Sequence, residues 1–127
     1  MHGERIQPLV WLEEPAKIGD ALARARVIVH HGSMLMAEES LIAGRPQVLV
    51  PLYLEHLLTA RALVELGVAT VPAPVRNVAE MTDGVRAALA YDSALRSARR
   101  WAGQHANDAV DRHRSRDLLC ALIAARN

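Results

Sequence analysis

Two adjacent imidazoles, a glycine and a hydroxyl stand together at His30-His31-Gly32-Ser33. An imidazole changes its charge near neutral pH, and glycine followed by serine suits a tight turn that opens a helix. The first amides of a helix lack partners within it and carry the positive end of its dipole. Gly32 and Ser33 therefore sit where an anion, most often a phosphate, would bind. The plainer alternative is a histidine at a helix start with local hydrogen bonds only. His30, one residue earlier, points to the opposite face and reads as packing.

The elements that must hold this turn are readable on both sides. A β-branched run over residues 27–30 predicts a strand, and Ser33 opens about ten residues of helical spacing that Gly44 and Pro46 stop. Residues 47–50 read as a second strand, apolar enough to be covered on both faces as in a parallel sheet. Upstream, residues 8–12 predict a strand with Trp11 as a packing residue. Glu13-Glu14-Pro15 then starts a helix that places Ile18, Ala21, Leu22 and Ala25 on one face. Downstream come a helix over 56–66 closed by Gly67, a short strand at 69–71, a loop at Pro72 and Pro74, and helices over 78–91, 92–103 and 108–125. Alternating short strands and helices predict an α/β fold: a Rossmann-like parallel sheet of about four strands, helices on both faces and C-terminal helices packed across it. Residues 1–127 form one domain, with 92–127 as its closing helical arm.

Composition narrows the functions. With 127 residues there is room for one domain and a core. A net charge of +1 provides no field that would draw nucleic acid or an acidic membrane. The single cysteine, Cys120, excludes an internal disulfide framework, suits a reducing cytoplasm and, among Leu118, Leu119 and Leu122, reads as a core residue. No apolar run reaches the ~18 residues of a membrane span, and the opening residues do not form a signal peptide.

Taken together, His30-His31-Gly32, Glu39, Gly44-Arg45-Pro46-Gln47, Pro51, Glu55-His56 and Gly67 resemble the donor-binding signature of two-Rossmann-domain (GT-B) glycosyltransferases that use nucleotide-activated sugars. The resemblance covers residues 8–74 and is similar in particular to the bacterial pattern HHGGxGT, then E, GxPQ, P, an acidic residue with Gln, and Gly. It implies that this chain is part of a C-terminal donor domain for a UDP- or dTDP-sugar. It assigns the donor diphosphate to His31, Gly32, Ser33 and Met34, the ribose to Glu39, and the sugar hydroxyls to Glu55 and His56. Each has a plain alternative: an ordinary exposed helix glutamate for Glu39, loop residues at a helix start for Glu55 and His56. Glu38, beside Glu39, reads as solvated. The pattern's second glycine is Ser33 here, and its Gly-Thr is Leu35-Met36, so a hydroxyl suited to phosphate is missing.

The resemblance assigns no catalytic residue to this stretch, because the general base belongs to the acceptor-binding half. It implies a nucleotide sugar as substrate, no metal or other cofactor, and an acceptor-domain partner supplied elsewhere. On the family's strand order, strands 1 and 2 would lie between residues 8–12 and 27–30. An exposed sheet edge there predicts a homodimer or a partner that fills the gap. A reading from another class is a noncatalytic assembly module derived from such a domain. His105, Asp108, Asp111, Arg112 and His113 lack any recognised metal-ligand spacing and read as a solvated face. Arg96, Arg99, Arg100, Arg112, Arg114 and Arg116 alternate with acids and do not make a nucleic-acid stripe.

Overall fold

A computed structural model describes residue 14, residues 17–72, 77–90, 92–105 and the backbone of 112–126, with side chains of that last segment from 117 to 125. The order is α1 (Ile18–Arg24), β1 (Ile28–His30), α2 (Met34–Ile42), β2 (Gln47–Leu49), α3 (Leu54–Glu65), β3 (Ala69–Thr70), α4 (Val78–Ala90), α5 (Asp92–Gln104) and α6 (Arg112–Arg126). The three strands form one parallel sheet in the order β1-β2-β3. The expected sheet had about four strands, and the described residues hold three. The expected strand at 8–12, with Trp11, lies outside them.

Register sorts the side chains by face. Ile28 pairs with Gln47, which pairs with Ala69, and His30 pairs with Leu49, so these residues share one face. That face meets α2 and α3, and Leu49 and Ala69 join Ala37, Leu41, Ala60, Leu63, Trp101 and Leu119 in the core. The other face carries Val29, Val48 and Thr70, where α4 lies against β2 and covers Val48 while Val29 stays exposed. Helices therefore flank both faces. The C-terminal arm reaches the sheet mainly through the helical layer: α5 and α6 pack chiefly on α2 and α3, while Trp101 and Leu119 share the core with Leu49 and Ala69.

The glycines expected to stop α2 and α3 do so through the same motif. Gly44 has φ +68° and Gly67 φ +77°. Gly44 N–H donates to the Leu41 carbonyl and Arg45 N–H to that of Ser40, while Gly67 donates to Val64 and Val68 to Leu63. These are paired Schellman closures. α5 lies across both: a Cβ on Gly44 would stand 3.2 Å from Ala102 Cβ, and one on Gly67 3.3 Å from Ser97 Oγ. Arg45 adds a tie to α1, donating from Nε to the Leu22 carbonyl at 3.0 Å and from Nη2 to that of Ala23 at 2.9 Å.

The core at α6 differs from expectation. Cys120 is exposed and Leu119 is the fully buried residue of that stretch, because the α6 face turned to α2 and α3 runs through Leu118, Leu119, Leu122 and Ile123. His105 stacks on Trp101 with centroids 4.1 Å apart and hydrogen-bonds the Trp101 carbonyl through Nδ1 at 2.8 Å. No group of three or more metal-ligating side chains occurs among the described residues.

Candidate functional site

The strand-to-helix turn at the carboxyl end of β1 is built by three imidazoles around one glycine. Gly32 has φ +113°, is buried, and lies so close to α3 that a Cβ on it would stand 3.0 Å from the His56 carbonyl oxygen and 3.2 Å from His56 Cβ. Only glycine fits both the dihedral and the space. Its position draws the start of α3 against the start of α2, so residues 24 apart in sequence share one corner.

Hydrogen-bond partners fix the tautomers of all three rings, since a carbonyl only accepts and a backbone amide only donates. His31 Nδ1–H donates to the Val50 carbonyl at 3.0 Å, so the neutral ring turns a bare Nε2 away from that bond. The Leu52 amide donates to His56 Nδ1 at 3.3 Å, so neutral His56 carries its proton on Nε2. The two rings are stacked, 6.2 Å between centroids and 11° between planes, and Tyr53 leans on His56 at 5.1 Å. One ring therefore offers an acceptor and its neighbour a donor. A contact from His31 Nε2 to an anion requires the protonated ring.

His30, expected to pack, does more than that. Its Nδ1 accepts from the Gly32 amide at 3.0 Å and its Nε2–H donates to Gln47 Oε1 at 2.6 Å. Burial lowers its pKa from the usual 6.5; the Gln47 bond opposes this in part, while His31 and His56 add to the lowering. Gln47, on the same sheet face one register step away, passes the chain on through Nε2–H to the Ala37 carbonyl at 3.4 Å. A glutamine inside a buried strand needs such a partner, and that polar residue in an apolar run was the available sequence signal.

At the helix start, Ser33 caps α2: its Oγ accepts from the Met36 amide at 3.3 Å. Two of the turn's amides, Gly32 and Met36, are thus engaged by side chains. The amides of Ser33, Met34 and Leu35 have no partner among the described residues. They form the set open to an anion, with the helix dipole behind them.

The remaining expected residues divide. His56 lies in the corner beside His31. Glu55, in the first turn of α3, is exposed, and its main-chain carbonyl receives the Thr59 hydroxyl. Glu39, in the second turn of α2, is buried and has a partner within the chain. Glu38 was expected in solvent and is 2% exposed, also partnered, because α2 is enclosed by neighbouring helices. Leu35, Leu52, Tyr53, Leu54 and Leu57 form an exposed apolar rim to the corner.

No family model matches the chain. Over 104 residues it is 32% identical to O-mycaminosyltylonolide 6-deoxyallosyltransferase of Streptomyces fradiae, a glycosyltransferase. That match covers 80% of this chain and 24% of the enzyme, so the chain spans about a quarter of the relative's length. No described helix is long and apolar enough to cross a membrane.

Proposed function

We propose that this chain is the nucleotide-sugar donor-binding part of a glycosyltransferase, which transfers sugar to an acceptor hydroxyl only with an acceptor-binding half supplied elsewhere. The observation that carries the reading is the row of open amides at Ser33, Met34 and Leu35, flanked by His31 and His56 at the carboxyl edge of a parallel sheet. Ligands of open α/β sheets bind at that edge. The similarity to a glycosyltransferase supports it.

In this reading the amides and the dipole of α2 hold the donor diphosphate and stabilise the charge that grows on it as the sugar departs. Neutral His56 donates from Nε2. His31 donates from Nε2 once protonated, with Val50 holding the ring in place. Glu55 is free to accept from sugar hydroxyls, and Glu39 would take ribose by exchanging its present partner. The acceptor and the general base come from a partner, which the apolar rim of Leu52, Tyr53, Leu54 and Leu57 suits. Without it the chain binds and does not transfer. Single-cysteine composition fits a cytoplasmic setting, and the edge that β1 forms among the described residues fits pairing with a second copy.

The test is titration of the isotope-labelled chain with UDP and with dTDP while the amides of residues 32–36 are followed by NMR. Shifts confined to that turn, abolished by His31→Ala, are expected. The engagement of the Gly32 and Met36 amides favours a second reading, a noncatalytic assembly module. Silence of the turn at millimolar nucleotide would select it.

A further inference from the structure

The hydrogen bonds behind the turn run in one direction only. The Gly32 amide can only donate, so His30 Nδ1 is the bare nitrogen and Nε2 holds the proton. That proton goes to Gln47 Oε1, which leaves the Gln47 amide group to donate to Ala37. Every link requires neutral His30 in this one tautomer. A protonated ring would set a second donor against the Gly32 N–H. Gly32 is buried, so without Nδ1 its amide would be left unpaired, which drives the turn to rearrange.

We propose that His30 is a positioning residue for the donor seat: by drawing the Gly32 amide inward it fixes the turn that leaves the amides of Ser33, Met34 and Leu35 facing outward. The proposal rests on the donor-seat reading for its functional consequence, and on hydrogen-bond geometry for its structural one. His30 touches no substrate. It acts through Gly32, as Gln47 acts through His30, so the buried strand β2 is tied to the lip of the site. The groups that bear on its charge are His31 of the same turn and His56 of α3, both imidazoles, with neutral Gln47 on β2.

Substitutions separate the two nitrogens. The side-chain oxygen of asparagine falls near Nδ1 and the side-chain amide nitrogen of glutamine near Nε2, so His30→Asn keeps an acceptor for the Gly32 amide while His30→Gln keeps only a donor to Gln47 Oε1. Three readouts apply to the full chain: hydrogen exchange of the Gly32 amide, the imidazole nitrogen shifts of His30, and UDP affinity by calorimetry. In the wild type the shifts are expected to give bare Nδ1 and protonated Nε2. His30→Ala is expected to speed Gly32 exchange and weaken UDP by about tenfold each, with His30→Asn within about threefold of wild type and His30→Gln resembling alanine.

The opposite tautomer would overturn the proposal, as would Gly32 exchange or UDP affinity unchanged in a folded His30→Ala chain, or rescue by glutamine and not by asparagine. Should His30→Ala fail to fold, the asparagine and glutamine pair and the wild-type ring shifts decide. If the wild type itself ignores UDP, the donor seat falls, and Gly32 exchange alone judges the hold of His30 on the turn.

Discussion

The two ends of α2 both carry a glycine in the positive-φ region, and they are finished in opposite ways. At the C-terminal end, Gly44 and Arg45 satisfy the last carbonyls, α5 lies over the glycine, and the Arg45 side chain crosses to α1. At the N-terminal end, side chains take two amides and leave three open, while the space behind Gly32 is filled by the main chain of α3. One end is sealed; at the other Ser33 caps the helix and three amides stay open. Those amides are what an anion could take, so the open end is where function is to be sought.

The contrast is sharpest for the glycines themselves. Gly44 sits at φ +68°, inside the left-handed region where a non-glycine residue costs about 1–2 kcal/mol, and a Cβ there would stand 3.2 Å from the Ala102 methyl of α5 with no backbone oxygen closer than 3.6 Å. Gly32 sits at φ +113° with backbone oxygen in the way of a Cβ. Gly32→Ala is expected to destabilise the chain by about 2 kcal/mol and to abolish the UDP response, and Gly44→Ala by about 1 kcal/mol with the response intact. Urea melts and the NMR titration check both. Equal loss of binding in the two variants would break the contrast.

Arg45 tests the sealed end alone. Its two charge-assisted bonds hold the last carbonyls of the seven-residue α1, and removing them in Arg45→Ala is expected to cost about 1.5 kcal/mol in urea denaturation. UDP affinity should not move. A loss of affinity would mean that Arg45 communicates with the opposite end of α2.

The open end should respond to pH and the sealed end should not. Burial lowers the His30 pKa below 6.5, so the unfolded chain takes up this proton at higher pH than the folded chain does. His30 therefore contributes stability that is complete above about 6.5 and is lost as pH falls toward its folded value, with a slope of at most about 1.4 kcal/mol per unit for one proton. Urea melts across pH 5 to 8 should show wild type weakening at the acid end more than His30→Asn, which cannot titrate. Parallel curves would remove His30 as the source.

How much of this was legible follows the range of the interactions. The strand, turn, helix and strand around Gly32 were readable because β-branching, a capping serine and the Gly44 and Pro46 stop act within a few residues. Gly67 was readable for the same reason. The burial of Glu38 and the exposure of Cys120 were not, since each depends on which helices close over α2 and how α6 turns toward them. The expected start of α3 at residue 56 came two residues late, because Tyr53 provides no side-chain cap to mark it. The His30 to Gln47 bond crosses between strands and depends on register, which no local pattern specifies.

Ser33 is the point at which the two demands on the open end meet. Its hydroxyl caps the helix through the Met36 amide, and the same bond withdraws that amide from an anion. Glycine at an N-cap costs only a few tenths of a kcal/mol relative to serine, so Ser33→Gly should leave the melting curve nearly unchanged. It should also add a fourth open amide to the three at Ser33, Met34 and Leu35, raising UDP affinity by roughly threefold, the yield of one modest hydrogen bond in water. A fall in affinity would show that the serine hydroxyl itself meets the phosphate, and the seat would then be made of a side chain and three amides, not of amides alone.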